Sequence, residues 1–152
     1  AARLNRPILW VSRDSGPTGT TTALKALSIA GATVVGGTGV ISETTRLGLN
    51  LASEPRVAGV DRFATAAAVS QAFSALVGTE TMAVASGLEG NLIDALAGGA
   101  MGRLTLLVNP TSVPTVAQAQ LAAKAAGQVY VLGGPGAVTT ATLRSVFVAS
   151  NS

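Results

Sequence analysis

The chain contains no cysteine and no histidine. Those two absences exclude thiol nucleophiles, thiolate or imidazole metal sites and every Ser-His triad, whatever the fold. Aromatic residues make up only 3% of the chain, so a core has to be built from Ala, Val, Leu and Ile. Charged residues reach 11%, well below the usual quarter of a soluble domain. Ser, Thr, Asn, Gln and Gly must therefore cover the surface, which suits polymer-rich surroundings. Lysine is scarce too: two among ten basic residues, and not in a run. A nucleic-acid footprint is a basic cluster, so no nucleic-acid partner is expected. The net charge of +3 and pI near 10.2 still favour weak attraction to an anionic polymer. No stretch reaches the roughly eighteen apolar residues of a membrane span, and no membrane insertion is expected. The N-terminal residues 1–6 lead into no apolar signal-peptide core, so the chain is expected to be a mature form or an excerpt.

What is present is a regular alternation. With 152 residues the chain suffices for one domain or two small lobes sharing a core. Short apolar runs bounded by turn formers predict buried strands at 7–12, 32–37, 82–87, 104–109 and 129–134, with a short strand or extended turn at 56–60. Between them, helices are predicted at 20–29, from the Ser42 cap to about 52, from the Asp61 cap to Gly78, from the Asn91 cap to 101, at 114–126 and from Thr139 to about 149. Residues 14–17 read as a loop with Pro17 in a first helical turn. The third helix is expected to bury a stripe of Ala66, Val69, Phe73, Leu76 and Val77. Continuous apolar strands alternating with helices predict an α/β fold with mainly parallel sheets flanked by helices.

The chain also repeats itself. Sliding it by 97 residues lays 6–49 on 103–146 without a gap, with 13 identities in 44 positions, where about four are expected by chance. Arg6 meets Arg103, Leu9 meets Leu106, Leu24 meets Leu121, and Gly36-Gly37-x-Gly39 meets Gly133-Gly134-x-Gly136. The expected organisation is a complete unit at 56–149, preceded by the C-terminal half of another unit at 1–55. That pattern is expected of an excerpt from a longer array.

Between the two copies lies Arg56-Val57-Ala58-Gly59-Val60-Asp61-Arg62-Phe63-Ala64-Thr65-Ala66. This segment, together with Val84-Ala85-Ser86-Gly87, Asp94-Ala95-Leu96 and the strand-loop of Val131-Leu132-Gly133-Gly134-x-Gly136, resembles the cell wall binding repeat 2 family of Gram-positive surface proteins. Pro7-Ile8-Leu9-Trp10 is similar to the family's P-I-L-L strand. The chain departs from the pattern at Leu92-Ile93, where an aromatic and a proline are usual, and at Leu104-Thr105-Leu106-Leu107, which lacks proline. The resemblance implies repeated Rossmann- or Toprim-like modules, grouped in threes, that hold proteins non-covalently on an anionic cell wall polymer, teichoic-acid-like or polysaccharide. It implies an extracellular, cell wall location and no catalysis, cofactor or metal.

For binding polymer, Arg6, Arg56, Arg62 and Arg103 are the candidates, because the guanidinium fork suits phosphate and carboxylate; the alternative is solvated or internal ion pairs. Gly37 and Gly134 lie in turns that either demand positive φ or hold phosphate or sugar groups. Neither turn completes G-x-G-x-x-G, since Ser42 and Thr139 stand at the third glycine's place, and a Walker lysine is absent. Asp61 reads as a helix cap, ion-paired or not. Asp94 reads as a capping-box acid or a saccharide contact. Trp10 is assigned either to a core or inter-module contact or to sugar stacking. A glycosidase would need two carboxyls about 5–9 Å apart, and no pattern brings these two together. Two other readings stay open: a nucleotide- or phosphate-binding α/β domain, and a structural oligomerisation element. A half-unit with an open sheet edge is also expected to drive homo-oligomer formation.

Overall fold

The 97-residue repeat reappears in the hydrogen bonds of the computed structural model, which describes residues 2–15, 18–53, 55–124 and 127–151. In the first copy Ser42 N–H donates to the Arg13 carbonyl at 2.9 Å, and the Thr45 hydroxyl donates to the same carbonyl at 2.7 Å. In the second copy Thr139 N–H and the Thr142 hydroxyl do the same to the Pro110 carbonyl, at 2.9 and 2.8 Å. Every one of these positions is offset by 97.

The second copy and the segment before it are built on a three-stranded parallel sheet. Its centre is β3 (Thr81–Ser86), between β4 (Leu104–Val108) and β5 (Gln128–Leu132), with Val84 opposite both Leu106 and Val131. Met82 to Ser86 are inaccessible to solvent. That burial explains why the run does not alternate: a central parallel strand is covered on both faces. β4 alternates instead, sending Leu104, Leu106 and Val108 into the core. On that face lie α3 (Arg62–Val77), α5 (Thr115–Lys124) and α6 (Thr140–Ser150), contributing Ala67, Ala117, Leu121 and Val146 to the core. α4 (Ile93–Ala100) covers the opposite face, with Gly98 against Thr105 and Ala83. The fold class is thus α/β with parallel sheets flanked by helices.

The first copy is smaller. It holds α1 (Thr18–Ala26), β1 (Val34–Val35) and α2 (Glu43–Gly48), around a second core of Leu24, Val34 and Leu49. β1 pairs in parallel with β2 (Arg56–Val57), so the segment between the copies forms a two-stranded sheet with the first copy.

Several expectations need correction. Residues 7–12 form no strand. They match β4 by the repeat, and β4 exists because β3 pairs with it; the first copy has no counterpart of β3. The segment still alternates, with Leu9 and Val11 packed on the second core and Ile8 and Trp10 exposed at 68% and 85%. Trp10 is therefore not a core residue. In the second copy the corresponding outer face is the one beneath α4. The first helix ends at Ala26, before Ser28 at φ 52°, rather than near Gly31. α2 stops at Gly48 because Asn50 takes a left-handed conformation, φ 52°, which Asn tolerates. Phe147 occupies that place in the second copy, and α6 runs on to Ser150. Asn91 caps nothing; it ends a short 3-10 turn, Glu89–Asn91, and α4 starts from Leu92 without a side-chain cap. The buried face of α3 carries Ala67 and Ser70, with Phe73 and Val77 partly buried, while Leu76 is 58% exposed. Two expectations, the Pro17 turn and the end of the fifth helix at 126, lie outside the described residues. Among the described residues no helix is long and apolar enough to cross a membrane.

Candidate functional site

The motif between the copies is a joint, and most of its residues have a mechanical task. The Arg56 guanidinium donates to the Gly36 carbonyl at 2.6 Å and to Glu43 at 3.0 Å, tying this segment back to the first copy. Glu43 also receives Arg46, and hydrogen bonds from Arg46 and then Arg56 hold its carboxyl below the ordinary carboxylate range. Asp61 accepts from Ala64 N–H at 2.7 Å and caps α3. Thr65 accepts from Gly59 N–H at 3.0 Å. Gly59 has no room for a side chain, because a Cβ there would run into the backbone of Ala64 and Thr65. Arg62 donates to the Gly87 carbonyl at 2.9 Å, and the Phe63 ring packs against Gly87, anchoring α3 to the end of β3.

Arg56 and Arg62 therefore each donate to a backbone carbonyl of the protein, Arg56 half-buried and Arg62 exposed. Arg6 and Arg103, the pair related by the repeat, are exposed. Arg3 lies beside Gly102, the neighbour of Arg103 in the chain, since a side chain at Gly102 would touch it. Neither composition nor the repeat singles out Arg3; its sole signal is basic character near Arg6. Glu43 was likewise missed, although it follows the Ser42 cap directly.

The glycine turns are similar in both copies. The φ values are 123° at Gly36 and 102° at Gly133, so positive φ is needed at the first glycine of each pair and not at Gly37 or Gly134. The Gly37 carbonyl accepts from Val40 and Ile41, and the Gly134 carbonyl from Ala137 and Val138, closing each turn on itself. Around Gly134 there is open space. Asp94 stands in α4 with its carboxylate against Gly133, where a Cβ would meet Oδ2 at 2.5 Å. A negative charge at the turn opposes phosphate there.

Comparison with known proteins agrees with this geometry. The chain is 30% identical over 144 residues to the N-acetylmuramoyl-L-alanine amidase LytC of Bacillus subtilis (strain 168), covering 92% of this chain and 28% of that protein. Cwp6 from Clostridium difficile superposes with a TM-score of 0.85 at 22% identity, over 97% of this chain and 24% of its own. Cwp8 from the same species superposes at 0.77 with 23% identity, over 99% and 27%. The chain thus spans about a quarter of the length of each. Residues 56–143 match the family Cell wall binding domain 2 (CWB2), more than half of the 152 residues, and the chain belongs to that family.

Proposed function

We propose that this chain is a non-catalytic anchor that holds an attached protein on an anionic cell wall polymer through arginines outside the joint motif. As a member of its family it works in the extracellular cell wall. The observation that carries the finer reading is the division of the arginines. Arg6 and Arg103 recur one repeat apart and are exposed, with Arg3 beside Gly102, whereas Arg56 and Arg62 each have a guanidinium nitrogen bonded to a backbone carbonyl. Recurring weak contacts suit a repeating polymer, because each further contact is intramolecular once the first has formed. The two acids considered for hydrolysis have other employment, Asp61 on a helix end and Asp94 against a turn. Gly37 is proposed as a polymer neighbour through its turn, whereas the Asp94 carboxylate beside Gly133 disfavours an anion at Gly134. The test is sedimentation with intact walls before and after the anionic polymers are stripped. Binding should be lost with the polymer, and undiminished binding would refute the reading.

The units are proposed to divide at about residue 55, with 1–55 a half-unit. The exposed Ile8 and Trp10 favour self-association through that half. Mass measurement in solution at micromolar concentration decides this, and a strict monomer would end it.

A further inference from the structure

The helix pair α5 and α6 turns Ala117, Leu121 and Val146 into the core. Away from the core, a groove of about 640 Å³ runs between the two helices, a size usual for ligand sites. Its apolar lining is small and includes Ala119, Ala122 and Ala149. Its polar lining includes Gln118, Arg144 and Ser145. Gln118 donates its side-chain amide to the Val113 carbonyl at 2.9 Å, which pins the group and leaves its oxygen without a donor among the described residues. The Ser145 hydroxyl donates to the Ala141 carbonyl at 3.2 Å, so its oxygen is free to accept. Arg144 is exposed and pairs with no acid among the described residues, and no acidic residue lines the groove. The groove thus offers one cation, two acceptors and a shallow apolar surface.

The repeat adds an independent observation. Shifted by 97 residues, Ala122 becomes Lys25 and Arg144 becomes Leu47. Each copy therefore carries one cation and no acid at the groove positions, from the first helix of the pair in one copy and from the second in the other. Lys25 is exposed as well. The charge recurs although its position does not. We infer that the groove binds an acidic sugar unit of the wall polymer. Arg144 takes the unit's carboxylate or phosphate, Gln118 and Ser145 accept from its hydroxyls, and the alanines receive the apolar face of the ring. The inference rests on the polymer reading for the class of its ligand, and it assigns the contact to residues other than Arg6 and Arg103.

The experiment titrates the whole chain with glucuronate, glucose phosphate and glucose in turn, followed by the NMR shifts of its backbone amides. An acidic probe should move the amides of Gln118, Ala122, Ser145 and Val148 saturably. Tighter binding of glucuronate assigns a carboxylate to the ligand, and tighter binding of glucose phosphate assigns a phosphate. Arg144→Gln should weaken the acidic probe about three- to fivefold, the range of an exposed ion pair. Ala122→Lys, which installs the first copy's cation, should restore the affinity in that variant and raise it in the parent. Both positions are exposed, so neither change disturbs the core. Amides that do not move in the groove, glucose binding as tightly as the acids, or an affinity indifferent to Arg144→Gln and Ala122→Lys would overturn the inference. The polymer reading stands or falls separately, on sedimentation with stripped walls, whereas the groove is decided by these small probes alone.

Discussion

A single methyl group at Gly59 should be among the most damaging small changes available in this protein. The Gly59 Cα faces the start of α3 so closely that a Cβ would meet the carbonyl carbon and Cβ of Ala64 and would lie 2.6 Å from Thr65 N. Backbone atoms cannot rotate away, so relief requires the loop to leave the helix. That movement stretches the 3.0 Å bond from Gly59 N–H to Thr65 Oγ1. Overpacking of this kind costs about 1–3 kcal/mol, and a weakened hydrogen bond adds about 0.5–1.5 kcal/mol. For a chain of this length each kcal/mol lowers the melting temperature by about 2–4 °C, so Gly59→Ala should melt roughly 5–15 °C below the parent. Gly134→Ala is the control, since nothing lies within 4 Å of its Cβ position and its φ is not positive. It should stay within about 0.5 kcal/mol of the parent. Circular dichroism melts of the three proteins at one concentration suffice. Equal melting temperatures for Gly59→Ala and Gly134→Ala would show that the joint is not tightly packed.

Three further outcomes follow from other parts of the structure. Gly133→Ala should lower stability by about 1–3 kcal/mol in urea titration, since φ is 102° and Ala137 Cβ lies 2.9 Å from the new atom; parity with Gly134→Ala would refute this. The bonds from Arg46 and Arg56 lower the pKa of Glu43 below its ordinary value of 4.5, so its contribution is complete above that value and is lost as pH falls through the folded pKa. Glu43→Gln should therefore weaken the protein at pH 7 and show less further loss on acidification than the parent; identical pH profiles would contradict the sign. Thr142→Val should cost about 1–3 kcal/mol, because the fully buried hydroxyl donates to the Pro110 carbonyl at 2.8 Å. Thr45→Val should cost a similar amount at the equivalent bond to Arg13, and one large and one negligible effect would deny the two copies equal structural roles.

Much of the architecture was legible because local signals agreed with tertiary need. Asp61, Ser42 and Thr139 cap the helices they precede, and Gly78 ends α3. Continuous apolar runs at 82–87, 104–109 and 129–134 correspond to the three paired strands, displaced by one residue at most of their ends. What the pattern could not show was pairing. Residues 7–12 are as apolar as β4, yet a strand needs a neighbour, and the neighbour's counterpart is not in the first copy. The same gap exposes Trp10, whose size suggested burial. Of the candidate site, the arginines were recognisable as a class but not by role. Only coordinates show that Arg56 and Arg62 donate to backbone carbonyls, although Arg62 is as exposed as Arg6 and Arg103. Asp94 does lie in the first turn of α4, but the Asn91 cap expected beside it does not form, because the helix starts one residue later than the spacing assumed.

The central claim is that Arg6 and Arg103, rather than the arginines of the joint, hold the polymer. Its most direct test is the affinity of the purified anionic wall polymer for the chain and for Arg6→Ala and Arg103→Ala, measured by calorimetry across about 50–300 mM salt. The account predicts affinity falling steadily with salt, a loss of several-fold in each variant at low salt, and unchanged melting temperatures. Salt-independent binding, or wild-type affinity in the Arg6→Ala, Arg103→Ala double variant, would contradict it.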